Sequence, residues 1–448
     1  MRRIKSAIFV LLIFVVGLIA AFFGFAPGSR NQASAPALPS DSLTASQSWT
    51  LYDPDPNHVW NRLYRGLFGR VGQDGREYGY DELEPLLWPS TRYLLTSPAN
   101  QQAIKVLDEF LSTHAERKIN DPLKRALLQR DLWAVFDWAA GQRTDTRAEL
   151  DLQIKLAQVI KRLALSPDEI ASLPSAYKEA VRSRAFAIAY DPNQPQQPFL
   201  PPDLFDPKGG WVSLSSRSGP IARVHVDVFS GRSVFRIFVS LPEGREATLN
   251  YLHKLSEFPQ QRLPDPNGFG FTPDPHLPQF PAGTKLALVR EMILIDSQGN
   301  LRPTGIIEDV QIRVHRTIPS EIPQALNTSR NEAKTALDPF EFKLSRARLL
   351  SGESGGLRPV GAEETEFAFF LTHGLDWESR VSLKACASCH FRPGAFASVL
   401  SRGGDIIPSS NLNNEASETP WWKRRRYDWG LLQGLWRAQP DRVEPAAP

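Results

Sequence analysis

The sequence has very few sulfur-containing residues, with only 2 cysteines and 2 methionines among 448 residues. This number excludes a secreted domain held together by several disulfides, because such a domain needs more cysteines, spread along the chain. The net charge is only +3, so no strong field indicates nucleic acid as a partner. The length suggests two or three domains, and a hydrophobic content of 42% is enough to build their cores.

Several catalytic motifs are also absent. The sequence contains no GxSxG nucleophile elbow, no phosphate-binding loop, no helical pair of metal ligands and no internal repeat. These absences exclude the simplest hydrolase and nucleotide-binding interpretations. They leave open whether the protein is an enzyme.

An apolar run follows a basic N-terminus. Arg2, Arg3 and Lys5 precede the segment from Ala7 to Phe25, which has no charged residue. About 20 apolar residues span a bilayer as a helix, and the basic flank predicts a cytoplasmic N-terminus. We therefore predict a single-pass inner (cytoplasmic) membrane protein, with residues 1–27 as membrane anchor or signal and the bulk of the chain in the periplasm or on the outer side. A cleaved signal peptide ending near Ala33-Ser34-Ala35 is the alternative.

The rest of the chain changes its pattern several times, which predicts an α+β multidomain protein. Apolar residues at helical spacing give way to alternating ones, and proline-rich segments separate the two patterns. The predicted order is a linker (28–50), a helical domain (51–190), a Pro-rich linker (191–210), a small antiparallel β domain (211–318), a mixed connector (319–360) and a mostly helical C-terminal domain (361–448).

Individual elements within these regions have clear signals. Asp121-Pro122 predicts a helix start, and Ser166 with Glu169 three residues later has the capping-box pattern. The alternating valines at positions 224, 226 and 228, the turn residues Ser230-Gly231-Arg232, and then Phe235, Ile237 and Val239 predict a hairpin. The apolar segment Leu286–Ile295 predicts a buried strand, residues 296–300 a turn, and Val310, Ile312 and Val314 a half-exposed strand.

The two cysteines lie in the segment Cys386-Ala387-Ser388-Cys389-His390. Two intervening residues allow both thiols to reach the two vinyl groups of one haem, and the adjacent histidine can then point its imidazole at the iron. The segment resembles the haem-attachment motif of c-type cytochromes, over these five residues and the predicted helix 376–383 before them. The resemblance implies one covalent haem c bound to Cys386 and Cys389, His390 as the proximal iron ligand, one-electron transfer, and a haem domain at 361–448.

The sequence departs from that family after the motif, because residues 391–448 contain no methionine and no histidine. A distal ligand must therefore come from upstream or be absent. His373, at the end of a helix predicted over 362–373, is the candidate distal ligand. The alternative is a histidine that only stabilises a helix C-terminus through the helix dipole.

The other possible ligands have less support. We predict that His225 and His315 are solvated on polar strand faces and that His114 packs on a helix face. Met292 lies in a continuous apolar run, which predicts a core position. Lys423 is a weak candidate ligand.

Two other uses of the cysteine pair stay open at this point. A structural zinc site would need four ligands, and a disulfide across two residues would give a thioredoxin-like redox pair. If haem is bound, we expect electron exchange with a redox partner protein or a quinone-linked chain, with the N-terminal helix as the membrane contact. A haem sensor or peroxidase-like enzyme with an open sixth position, and an exported scaffold with a structural haem, are the alternative functions.

The C-terminal segment combines tryptophans at positions 421, 422, 429 and 436 with the basic run Lys423–Arg426. Three interpretations fit this composition. The segment is a lid over the haem whose arginines pair with the propionates, an interfacial segment at lipid headgroups, or a helix that packs its aromatics on the haem domain.

Overall fold

The computed structural model of the chain describes residues 49–438, apart from 72–76, 82–92, 97, 143–145, 218, 259–260, 265–270, 322–323, 325–326, 330–331, 333–334, 368–378, 382, 384–393, 395–405 and 410–413. The predicted membrane segment 1–27 and nearly all of the predicted linker 28–50 lie outside the described residues, as do Cys386, Cys389, His390 and His373.

The helices fall mainly in the first half of the described chain and at its end. In chain order they are α1 (Val59–Phe68), α2 (Ala99–Ser112), α3 (Pro122–Gln142), α4 (Arg147–Leu163), α5 (Pro167–Ala171), α6 (Ala176–Arg182), α7 (Arg223–Val228), α8 (Arg245–Ser256), α9 (Arg346–Ser351), α10 (Asn414–Lys423) and α11 (Tyr427–Arg437). Short 3-10 helices lie at Tyr93–Leu95, Ala115–Arg117 and Glu353–Gly356.

The strands are β1 (Arg70–Val71), β2 (Glu77–Tyr78), β3 (Val212–Ser216), β4 (Ser233–Ser240), β5 (Arg262–Pro264), β6 (Phe271–Pro273), β7 (Lys285–Ile295), β8 (Leu301–His315), β9 (Leu337–Leu344), β10 (Leu357–Pro359), β11 (Thr365–Phe367), β12 (Ser379–Val381) and β13 (Ile406–Pro408). Seven of them form one antiparallel sheet in the order β10-β9-β8-β7-β4-β3-β13, and the others form two-stranded ribbons.

The predicted helix starts are confirmed by their capping contacts. Ser166 Oγ accepts a hydrogen bond from the Glu169 N–H at 3.2 Å, and Glu169 Oε2 accepts one from the Ser166 N–H at 2.7 Å. This reciprocal pair satisfies two donors that a helix end otherwise leaves unpaired. At the start of α3, Asp121 Oδ1 accepts from the Leu123 N–H at 2.8 Å.

The strand, turn and strand predicted from Leu286 to Val314 are also confirmed, whereas the hairpin predicted over 224–239 is wrong, because residues 223–228 form helix α7 and only β4 is a strand there. β7 pairs with β8, and the turn between them is closed by Asp296, whose Oδ1 accepts hydrogen bonds from the N–H groups of Gln298 and Asn300 at 3.0 and 2.8 Å. An aspartate that satisfies its own turn in this way fixes the register of both strands.

The two faces of the large sheet have different partners. The first face packs on the helical region and belongs to the main core, through Val234, Phe238, Ala287, Val289, Val310, Ile312, Phe340 and Phe342. Gln129 of α3 bonds to this layer from the helical side, since its Nε2 donates to the Ile295 carbonyl at 2.8 Å. The second face carries a smaller core, in which Phe235, Ile237, Val239, Leu286 and Leu288 pack with residues of α8.

The sheet edge at β13 is closed by a side chain. Gln261 Nε2 donates to the Ile406 carbonyl at 2.8 Å, and Gln261 Oε1 accepts from the Ile406 N–H at 2.8 Å. The glutamine amide therefore pairs with β13 as a neighbouring strand would, and it leaves less of the edge exposed to another chain.

The prediction of an α+β multidomain chain with a small β region and a mostly helical C-terminal haem domain is wrong. The observed fold is a mixed helix-and-sheet structure around a seven-stranded antiparallel sheet, and β9, β10 and β13 extend it well beyond residue 318. A mostly helical domain at 361–448 is not seen among the described residues, because β11, β12 and β13 lie there beside α10 and α11. The physical reason is that antiparallel partners distant in sequence give no local periodic signal.

Two local predictions are also wrong. Residues 223–228 form helix α7 rather than a strand, and Gly231 (φ 71°) ends this turn by donating its N–H to the Val226 carbonyl at 2.8 Å. A glycine in the left-handed region after a helix commonly ends it in this way. The helices predicted over 362–373 and 376–383 contain instead the paired strands β11 and β12.

No helix among the described residues is long and apolar enough to cross a membrane. On this finding, the predicted localisation as a single-pass inner-membrane protein with its bulk in the periplasm is wrong for the part of the chain that the structure describes. Residues 1–27, on which that prediction rests, lie outside this part.

Candidate functional site

The second face of the sheet becomes polar where it crosses from β7 to β8 and β9. Strand pairing places these side chains on one face, and we call them the polar strip: Arg290 of β7, Asp309, Gln311, Arg313 and His315 of β8, and Glu341 and Lys343 of β9. Four members of the strip are buried, namely Arg290, Asp309, His315 and Glu341. Buried polar groups on a sheet face are costly unless they are satisfied, so hydrogen bonds and ion pairs among the strip's own members are expected.

Neighbouring members of the strip are joined by hydrogen bonds. Gln311 Nε2 donates to Asp309 Oδ2 at 3.0 Å, and Arg313 Nη2 donates to Gln311 Oε1 at 3.2 Å. Lys343 Nζ lies 3.7 Å from Glu341 Oε1. Burial raises the pKa of Asp309 although Arg290 and Lys343 oppose this effect. The side chains along β8 are therefore held in a fixed line that ends at His315.

The strip ends at His315 and has His225 of α7 beside it. Both histidines are neutral at physiological pH. Burial, with a further contribution from Arg313, lowers the pKa of His315 to about 3. Burial, Arg313 and Arg290 lower the pKa of His225 on α7 to about 4. Arg313 therefore acts on both rings. Neutral imidazole is the form of histidine that can accept a hydrogen bond or bind a metal.

One described residue of the segment that carries the cysteine motif reaches this strip. Gly394, four residues after His390 in the sequence, donates its backbone N–H to Nδ1 of His315 at 3.1 Å. A Cβ on Gly394 would lie 2.6 Å from the amide atoms of Gln279. This position therefore accepts only glycine without a rearrangement of its surroundings.

A second buried polar cluster lies on the opposite side of the sheet. We call it the C-terminal lock: Arg232, Asp137, Lys423 and Asp428. Lys423 Nζ lies 2.6 Å from Asp137 Oδ2 and 2.9 Å from Asp428 Oδ2, and Arg232 Nη1 lies 2.7 Å from Asp137 Oδ2. The lock joins α10 and α11 to α3 and to the start of β4.

Burial shifts the pKa values within the lock against the charged forms. It lowers the pKa of Lys423 and raises that of Asp137, whereas Lys423 and Arg426 outweigh burial at Asp428 and hold its pKa below the usual value. Lys423 is 0% exposed and bonds to two carboxylates. The hypothesis of Lys423 as an iron ligand is therefore not supported by its position.

The predicted haem residues Cys386, Cys389 and His390, and the candidate distal ligand His373, lie outside the described residues. Their roles stay predictions. The core position of Met292 is confirmed, since its side chain is fully buried.

Three predictions for the other histidines are wrong. His315 is buried rather than solvated, and His225 is half-buried on a helix rather than on a strand. His114 is exposed in a left-handed turn (φ 49°), beside Glu116, rather than packed in a helix face. Polar alternation along β8 indicated a solvated face because the sequence does not show what packs against that face.

The C-terminal tryptophans divide into two groups. Trp429 and Trp436 are buried in the main core, where the ring of Trp429 lies 6.1 Å from that of Trp133 of α3. These two therefore pack against the helical region and not, as the packing interpretation had it, on a C-terminal haem domain. Trp421 is 45% exposed, and the Arg425 guanidinium lies over its ring, 3.6 Å from the ring centre.

Sequence reasoning missed Arg313, Gly394 and the polar strip as a unit. The available signal was the spacing of Asp309, Gln311, Arg313 and His315, which places four polar side chains on one strand face. Among the described residues, no group of three or more His, Cys, Asp or Glu side chains is placed to hold a metal ion.

Comparison of the chain with protein-family models, with curated proteins and with solved structures finds no match.

Proposed function

We propose that this chain binds one haem c covalently through Cys386 and Cys389, with His390 as an iron ligand, and transfers single electrons to or from a redox partner protein or a quinone-linked chain. When bound, the haem would supply one-electron redox chemistry at its iron. The two cysteines are the only thiols in the sequence, so the proposed attachment leaves no other thiol to compete with them.

The contact of Gly394 with the polar strip is the observation that carries this proposal. It brings the chain just after the motif to His315, which lies two residues along β8 from Arg313 on the same sheet face. Arginine pairs with carboxylates such as the haem propionates. The residue types near Gly394 thus fit the proposed group.

The chain's own residues would then have separate tasks. The motif would attach the group, and His390 would bind the iron from one side. Arg313 and Arg290 would favour ionised carboxylates near the strip. Burial, helped by Arg313 at both rings and by Arg290 at His225, keeps His225 and His315 neutral. A distal ligand, if one is present, stays a prediction, with His373 as the candidate.

The test is an absorption spectrum of the full chain coexpressed with a cytochrome c maturation system. Spectra of oxidised and reduced protein, and of reduced protein under carbon monoxide, are compared after denaturing removal of non-covalent haem. We expect covalent haem, sharp reduced bands and little response to carbon monoxide. The matched control is Cys386→Ala with Cys389→Ala, which we expect to abolish covalent attachment while the buried core is unchanged.

Two results would contradict the proposal in different ways. Covalent haem that binds carbon monoxide at once would replace electron transfer by gas sensing or peroxidase-like chemistry. No covalent haem in the wild-type chain would remove haem binding and leave a cysteine pair with thiol chemistry on an otherwise structural protein.

A further inference from the structure

We infer that His315 is a positioning residue that holds the backbone N–H of Gly394 and so fixes where the motif-bearing segment meets the sheet. This inference rests on the proposed function, because the effect it predicts is on the bound haem. The contact itself is the hydrogen bond of 3.1 Å from the Gly394 N–H to His315 Nδ1.

The ring that accepts this hydrogen bond is held firmly. The His315 N–H donates to the Thr284 carbonyl at 2.9 Å, and the His315 carbonyl accepts from the Gly283 N–H at 2.7 Å. The side chain is 0% exposed and lies beside the ring of Phe280, with centroids 6.1 Å apart. His315 therefore lies at a strand end whose backbone is hydrogen-bonded to residues 283–284 and paired with Leu337 of β9, so the buried acceptor has a rigid backbone.

The protonation state of His315 suits an acceptor. Its lowered pKa, about 3, keeps the ring neutral at every working pH. When Nδ1 accepts from Gly394, the ring proton must lie on Nε2. In this tautomer Nε2 has no free lone pair for iron. The observed contact therefore indicates a role in positioning rather than in ligation.

The partner side of the contact has little freedom. Gly394 has φ 99°, a conformation that side chains disfavour, and a Cβ there would meet Gln279 at 2.6 Å. Gly394 follows His390 by four positions, and that length of chain extends over roughly 14 Å at most. Holding Gly394 therefore limits where His390 can lie relative to the polar strip.

The experiment compares His315→Leu with His315→Asn in the full chain. Leucine removes the acceptor, whereas asparagine keeps an acceptor oxygen at the δ position of the side chain. Two quantities are measured: amide hydrogen exchange in the peptide that contains Gly394, and the ratio of oxidised to reduced haem at one fixed solution potential. We expect at least tenfold faster exchange and a severalfold changed ratio in the leucine variant, with both largely restored in the asparagine variant.

Two outcomes would overturn the inference. If the exchange of the Gly394 amide and the redox ratio are unchanged in both variants, the contact with His315 does not hold the Gly394 segment in place. If both variants instead gain carbon monoxide binding to the same extent, His315 is a ligand rather than a positioning residue, since asparagine would then fail to rescue.

A second pair of variants covers the case in which His315→Leu does not fold. Gly394→Ala should reproduce the loss of exchange protection and the changed redox ratio, because a side chain is strained at φ 99° and the Gln279 amide must move away from the added Cβ. Gly244→Ala is the matched control, since Gly244 has a similar φ of 92° but nothing within 4 Å of an added Cβ. Equal effects of the two alanine variants would contradict the inference.

Failure of the inference can be separated from failure of the proposed function. If the wild-type chain carries no covalent haem, the proposed function fails, and the redox arm of this test fails with it. The exchange of the Gly394 amide still reports whether His315 holds it. If covalent haem is present and the exchange does not depend on His315, only the inference fails.

Discussion

The C-terminal lock and the polar strip are both sets of buried charged groups, but they differ in what they hold. The lock contains two cations and two carboxylates, and its ion pairs join α3, β4, α10 and α11. The polar strip lies on a single sheet face, ends at a neutral imidazole, and holds a backbone N–H from the segment around the motif. Balanced charge across several elements indicates a stabilising role. A line of polar groups that ends in an unprotonated acceptor indicates a place that receives another part of the molecule.

The largest expected effect on stability comes from removing Lys423 from the C-terminal lock. Lys423→Ala removes the cation that Asp137 and Asp428 share, although Arg232 still pairs with Asp137 and Arg426 with Asp428. We therefore expect a loss of unfolding free energy near the lower end of the roughly 3–5 kcal/mol that breaking a buried ion pair costs. Urea unfolding followed by tryptophan fluorescence measures this loss. The double variant Asp137→Asn with Lys423→Met should recover much of this loss, because it removes both charges of the Lys423–Asp137 ion pair together. A loss below about 1 kcal/mol in Lys423→Ala would contradict the stabilising role.

The next effect concerns the polar strip and depends on pH. The pKa of His315 is 6.5 in its ordinary state and about 3 in the folded protein, so the unfolded chain binds more protons between these values. Stability from this group is therefore full above pH 6.5 and is lost as the pH falls, by up to about 1.4 kcal/mol per pH unit. The unfolding free energy of wild type relative to His315→Asn, measured between pH 7 and pH 5, separates this contribution from that of His225 and of other buried groups present in both proteins. A constant difference over this range would show that His315 is not buried in a neutral state.

A smaller effect is expected on the histidine titrations themselves. Arg313→Gln should raise the pKa of both His225 and His315, by about one unit or less, because Arg313 contributes to lowering each of them. Both values should stay below 6.5, since burial is the main cause. NMR titration of the imidazole protons measures the shifts. Arg147→Gln, on an 86% exposed side chain, is the control, and shifts of equal size in both variants would argue against Arg313 as the link between the two rings.

The smallest effect should come from the arginines that follow Lys423 in sequence. Arg424 and Arg425 are exposed, so Arg424→Ala with Arg425→Ala should change the unfolding free energy by about 0.5 kcal/mol or less. The covalent haem spectrum should also be unchanged. A large spectral change would revive the interpretation of this segment as a lid. A large loss of stability in Lys423→Ala beside a small one in this double variant would show that Lys423 stabilises the fold, whereas Arg424 and Arg425 face solvent.

Much of the local structure could be predicted from the sequence because its signals are local. The capping box at Ser166, the start of α3 and the β7–β8 hairpin each depend on residues within about five positions of one another. Their hydrogen bonds appear as expected. The core position of Met292 follows in the same way from a continuous apolar run.

The sheet as a whole and the polar strip could not be predicted, because both depend on distant residues. β13 pairs with β3 across a long sequence separation, and α7 takes the place of a strand that three valines indicated. The burial of His315 depends on what packs over the strip. Alternating polar residues on a strand indicate solvent unless that covering is known. The motif itself was visible in sequence, but its five residues do not specify their own surroundings.

The pairing of Gln261 with Ile406 has a consequence for the order in which this protein folds. The two residues are 145 positions apart, and contacts that close such long loops form late, after local helices and hairpins have already gained their free energy. Completion of this edge of the sheet is therefore expected after the β7–β8 hairpin has formed, so a substitution at Gln261 should change the unfolding rate more than the folding rate.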